Sequence, residues 1–152
     1  MTRSFRMFAG AALLALFIAP RALAAQEPEL GARERAAVEA AEAWLALMDA
    51  ERYEESWQAA APLFQSAVTS EMWVQQGRMV RQQIGAPRGR KLQRAEHTTS
   101  LPNVPAGEYV VVLYAGSFAN IPEAREVVIL MLQPDESWRT AGYFVQPPGA
   151  GE

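Results

Sequence analysis

The sequence predicts an α+β fold, with N-terminal helices packed on a C-terminal four-stranded antiparallel curled sheet. Three observations lead there. Apolar residues recur at helical spacing between Ala32 and Ile84. Runs rich in Val, Ile and Tyr occupy Glu108–Phe118, Glu126–Gln133 and Trp138–Val145. The helical runs all precede the extended ones, which excludes alternating βαβ units.

The first helix is expected from Ala32 to about Asp49. Val38, Ala41, Leu45 and Met48 form its apolar stripe beside Trp44, and Arg35, Glu39, Glu42 and Asp49 fall on the opposite face. A second helical piece runs from about Tyr53 to Ala60, where Pro62 ends it or starts a new turn. Leu63 and Phe64 then read as a loop. The next helix is the best marked. Thr69 or Ser70 caps it, Glu71 suits its positive end, and Gly85 with Pro87 stops it. Trp73, Gly77, Val80 and Ile84 share one stripe, so Trp73→Ala is expected to cost about 3–5 kcal/mol.

The first strand, Arg90 to Ser100, is polar, with Leu92 and Ala95 its only apolar members. A charged strand belongs at a sheet edge, where it discourages pairing with other sheets. The connections suit hairpins, the last being the Pro134–Ser137 turn. In Glu108–Phe118, Tyr109, Val111, Leu113 and Ala115 point one way; Val110, Val112, Tyr114 and Phe118 point the other. In Glu126–Gln133, Val127, Ile129 and Met131 oppose Val128, Leu130 and Leu132. Both faces are apolar, whereas an antiparallel sheet with one wet face alternates more cleanly. Helices cover one face. The second calls for a homodimer through that face, or for loops Leu101–Gly107 and Ala119–Ala124 folded over it.

The chain begins like a cleavable secretory signal peptide over residues 1–24. Arg3 and Arg6 precede an apolar run from Met7 to Ala19, and Ala22-Leu23-Ala24 supplies the small residues of a cleavage site. The run is shorter than the roughly 20 residues of a spanning helix. Residues 25–31 form a polar lead-in, 32–146 one α+β domain, and 147–152 a disordered tail. Cleavage removes three arginines and no acidic residue, shifting the net charge from −3 to −6. That balance disfavours nucleic acid as a partner. No later stretch is apolar for long enough to span a bilayer. The chain has no cysteine and one histidine, which excludes disulfides and makes a structural zinc site unexpected. No cofactor is expected.

Chemistry-bearing motifs are sparse. The lone His97 lacks an orienting partner in Glu96, since neighbours on a strand point to opposite faces. It reads as a solvated histidine. Glu51, Glu54 and Glu55 read as a charged turn, and no serine sits in a nucleophile elbow. No catalytic residue is assigned. Two groups are candidates for ligand binding. Arg88, Arg90, Lys91 and Arg94 make the one basic run, and Arg88, Arg90 and Arg94 share a parity that places them on one side of an extended chain. Trp57, Trp73, Tyr109, Tyr114, Trp138 and Tyr143 are aromatics that line a pocket if a gap separates helices from sheet. The residues selected are Trp57, Trp73, Tyr109, Tyr143, Arg88 and Arg90.

Several stretches in order resemble the DUF4019 family of exported bacterial proteins of unknown function. They are Trp44-Leu45-Ala46-Leu47-Met48-Asp49, Tyr53-Glu54-Glu55-Ser56-Trp57, Ala60-Ala61-Pro62-Leu63-Phe64, Trp73, Leu101-Pro102, Gly107-Glu108-Tyr109-Val110-Val111, Ser117-Phe118-Ala119-Asn120 and Trp138 to Phe144. The resemblance implies an exported domain and no assigned activity. The helices-then-curled-sheet order is similar to NTF2-like and cystatin-like folds in architecture alone. The functional expectation is a non-enzymatic periplasmic module binding a small apolar ligand or an envelope protein. The alternative is a small NTF2-like enzyme with an aromatic-lined pocket between helices and sheet.

Overall fold

The computed structural model describes residues 28–147. The expected signal peptide, the start of the expected lead-in and nearly all of the expected tail lie outside the described residues. Four helices come first: α1 (Ala32–Asp49), α2 (Tyr53–Ala59), α3 (Pro62–Ala67) and α4 (Ser70–Ile84). Strands β1 (Pro87–Thr98), β2 (Tyr109–Phe118), β3 (Ala124–Leu132) and β4 (Trp138–Gln146) follow as an antiparallel meander in the order β1-β2-β3-β4. The sheet is curled and unclosed, so β1 and β4 are its edges. Among the described residues no helix is long and apolar enough to cross a membrane.

Helix α1 lies on the inner face of the sheet. Ala37, Ala41 and Leu45 are fully buried there, and the two alanines let the helix approach the strands closely. Leu63 and Phe64 are helical rather than in a loop: Pro62 opens α3, where its missing N–H costs nothing and its fixed φ suits the first turn. Before it, the Ala61 N–H donates to the Thr140 carbonyl on β4 at 2.8 Å. The Thr69 hydroxyl caps α4 by accepting from the Met72 N–H. Gly85 ends α4 with φ of 82°, a left-handed conformation that a side chain resists.

The inner face carries Val110, Val112 and Tyr114 from β2 and Val128 and Leu130 from β3, all buried. They meet α1 and an aromatic cluster. The Trp73 ring lies 4.9 Å from Phe64 and 6.1 Å from Trp44, which is 5.3 Å from Tyr143. The outer face carries Val111, Leu113, Val127, Ile129 and Met131, all partly exposed, and Phe144, which is 50% exposed. The loop after β1 covers only the end of this face. There Tyr109 is fully buried and its hydroxyl donates to the Pro105 carbonyl at 2.7 Å.

Strand β1 departs from simple alternation. Irregularities between Pro87 and Gly89, and between Leu92 and Arg94, insert extra residues. The expected common side for Arg88, Arg90 and Arg94 is therefore wrong. Arg90 faces inward opposite Gly116, while Arg94 pairs with the outward Leu113.

Candidate functional site

Helix α4 packs chiefly on α2 rather than on the sheet. The space left between α4 and the edge strand β4 is a groove of about 280 Å³, towards the small end of ligand-pocket sizes. Its α4 wall is Trp73, Gln76, Gly77, Val80, Arg81 and Ile84. Its other wall is Tyr143–Gln146 of β4, and Met48 and Tyr53 contribute from α1 and α2. The apolar stripe of α4 thus divides its duties. Trp73 and Ile84 are buried, and Val80 remains half-buried at the opening.

Gly77 sets how closely α4 approaches α2. A Cβ at this position would lie 2.7 Å from Tyr53 Cδ1, so only glycine accommodates the ring. Tyr53 is 3% exposed, and its hydroxyl is buried with no hydrogen-bond partner. An unpaired buried hydroxyl is costly, and this one belongs to a residue of the groove wall.

Tyr143 is held from behind by a buried charge network. Its hydroxyl donates to Glu126 Oε1 at 2.8 Å. Glu126 is fully buried and is also gripped by Arg90, whose Nε donates to Oε2 at 2.9 Å. Arg90 reaches past it to Asp49 at the end of α1, donating from Nη1 at 2.6 Å and Nη2 at 2.9 Å. The carboxylate hydrogen bonds, that of Asp49 first, raise the pKa of Arg90, outweighing burial. Burial, reinforced by the charge of Glu126, raises that of Tyr143, so its proton stays on. Arg81 borders the groove but is occupied. It donates to the Met48 carbonyl at 2.9 Å and the Gly85 carbonyl at 3.2 Å, with its guanidinium 5.9 Å from the Phe118 ring centre.

The structure brings two of the selected residues together in the groove, Trp73 and Tyr143. Trp57 lies elsewhere, its indole donating to the Val68 carbonyl. Tyr109 is on the other face of the sheet. Arg88 is exposed at the β1 irregularity, and Arg90 is spent on internal ion pairs. Gly77, placed on the α4 stripe, proves to line the groove, and Tyr53, Arg81 and Glu126 are groove or network residues that sequence reasoning missed. Only Glu126 had a signal: it shares its parity with the inward Val128 and Leu130. Asp49, assigned to a solvent face, is the anchor of Arg90. His97 has a partner after all: its Nε2 lies 2.6 Å from Glu108 Oε2, and Arg33 completes the cluster 3.3 Å from that carboxylate. The partner comes from the neighbouring strand's approach, not from Glu96.

No curated protein and no solved structure matches the chain. A family model described as a protein of unknown function matches the chain. It covers residues 40–143, from within α1 to the tyrosine in the groove wall, and so spans the aromatic cluster and the ion network. The chain belongs to the DUF4019 family.

Proposed function

We propose that the mature protein is an exported binding module whose ligand site is the groove between α4 and β4. The observation that carries this reading is an open groove walled mainly by apolar side chains, Trp73, Val80 and Ile84 facing Tyr143 and Val145. Unfilled apolar space costs stability, and an apolar ligand relieves that cost. The charged groups around the groove are committed to internal partners. Arg81 holds carbonyl oxygens, and Tyr143 donates to Glu126. They shape a receptacle rather than supply a group poised for proton transfer. Export rests on the sequence at residues 1–24, and fractionation with N-terminal sequencing tests it: the mature chain should begin at Ala25.

Binding is tested with the neutral fluorophore N-phenylnaphthylamine. Its emission should rise on mixing with the processed protein and should quench the fluorescence of Trp73. Val80→Trp, which fills the opening, should abolish the effect without lowering Tm. Undiminished dye binding by that variant would sink the groove as the site. A second reading concerns the outer sheet face, where half-exposed Phe144 is paired with Val127 and Leu113 lies beyond it. This apolar row supports a two-fold homodimer.

A further inference from the structure

We propose that the groove takes an extended polypeptide segment, which adds to β4 as a fifth strand along Tyr143–Gln146. The inference rests on the groove being the binding site and names its occupant.

The main-chain directions follow from three hydrogen bonds. The Leu132 N–H donates to Glu108, before β2, and the Gln133 N–H donates to Ser137, before β4. Groups alternate along a strand, so inward residues of β3 bond to β2 and outward ones to β4. Directly paired residues share a face. The inward residues of β4, among them Thr140, Tyr143 and Val145, therefore aim their N–H and C=O away from β3, at the free edge. Thr140 shows this directly, since its carbonyl accepts from the Ala61 N–H on that side. The protein thus closes one position of this edge with its own backbone. At Tyr143 and Val145, which border the groove, no such backbone bond is present among the described residues.

The two edges of the sheet are treated differently. β1 is guarded by exposed Arg88, Lys91, Arg94 and Glu96 and by two irregularities, devices that repel strand pairing. β4 carries one irregularity, at Ala141 ahead of the groove, and is uncharged from Thr140 to Gln146. An incoming strand would find donors and acceptors about 6.6 Å apart at Tyr143 and Val145. Its alternate side chains would enter the groove against Trp73, Val80 and Ile84. Strand addition of this kind takes affinity from the main chain and selectivity from the side pockets, so the partner is a segment with apolar residues at alternate positions. Helix α4 walls the inner side of the edge, which admits a single strand more readily than a second whole domain.

The probe is a decapeptide of alternating valine and threonine with a lysine at each end. Amide hydrogen exchange of the processed protein is followed by NMR with and without it. Exchange at Tyr143 and Val145 should slow about tenfold or more when the peptide is saturating. A peptide N-methylated at every valine should give no protection. Val145→Pro removes the edge donor without touching the β3 ladder and should weaken peptide binding about tenfold relative to Val145→Ala, which keeps the donor. N-phenylnaphthylamine should still bind both variants. Unchanged exchange at Tyr143 and Val145, or equal peptide affinity of the two variants, would overturn the proposal. Dye binding without peptide binding overturns it too and leaves the groove reading standing; absence of dye binding in the wild-type protein removes the groove reading itself. Protection that appears without peptide and fades on dilution would make the occupant a second copy of the chain, and would also overturn it.

Discussion

Single residues in this protein are decided by where their polar atoms end. Glu126 is tolerable in the core because Arg90 and Tyr143 satisfy it. Arg90→Ala strips the carboxylate of its counter-charge and is expected to cost about 3–5 kcal/mol in urea denaturation. Replacing the set together, as Arg90→Met with Glu126→Leu and Tyr143→Phe, should recover most of that loss, because neither a buried charge nor the hydroxyl that Glu126 accepts from is then left unpaired. Tyr114 is the opposite case, a buried hydroxyl with no partner. Tyr114→Phe is expected to leave stability unchanged or raise it by up to about 1 kcal/mol. Burial raises the pKa of Tyr114 and of Tyr143 above that of a free tyrosine. A raised pKa means that the native state holds its proton more tightly than the unfolded chain. Their contribution is therefore complete below about pH 10, the unfolded value, and is lost as pH rises above it. Tyr114→Phe should make the alkaline limb of a stability-against-pH curve shallower; an unaltered limb would show that Tyr114 does not titrate on unfolding.

Elements are set by packing faces, and α4 shows it most clearly. Its stripe meets α2 at Gly77, the core at Trp73, and Phe118 of β2 with Ala124 of β3 at Ile84. Gly77→Ala should destabilise by about 1–3 kcal/mol, since a methyl group must displace the Tyr53 ring. This is the reverse of the gain usual for Gly→Ala in a helix, so a higher melting temperature in that variant would refute the close approach. Trp73→Ala keeps its expected loss of about 3–5 kcal/mol. Trp73 is 7% exposed, edge-on to Phe64, and its indole N–H donates to the Ser56 hydroxyl at 2.9 Å. Fluorescence-detected denaturation measures both. At β1 the irregularities matter more than the composition. They turn Arg90 inward and Arg94 outward, although the two residues are an even number apart.

At the scale of the molecule, one sheet face is filled and the other is partly open. α1 covers the inner face, while the 99–108 connection covers only the Tyr109 end of the outer one. The apolar row from Leu113 to Phe144 should support self-association, and light scattering at micromolar concentration should give about twice the chain mass. Phe144→Ser should return it to the mass of one chain; a wild-type mass of one chain that does not rise on concentrating would rule the dimer out.

The positions of α1, α2, α4 and the last three strands, and the order of the elements, were legible without coordinates, because each rests on local periodicity, capping and turn chemistry; α3 was read as a loop, and β1 begins three residues before the expected Arg90. The ends of α1, the Thr69 cap and the Gly85 stop all follow from residues within one turn. So does the two-faced apolar sheet, which alternation alone reveals. What the tertiary structure decided depends on distant partners. Arg90 reads as a free surface cation until an inserted residue in β1 turns it toward Asp49, 41 positions away. His97 reads as unpaired until the β1–β2 register brings Glu108 beside it. The groove exists because α4 leans on α2 through Gly77 and leaves the Tyr143–Gln146 edge of β4 open, a consequence of helix–helix approach that no local pattern encodes.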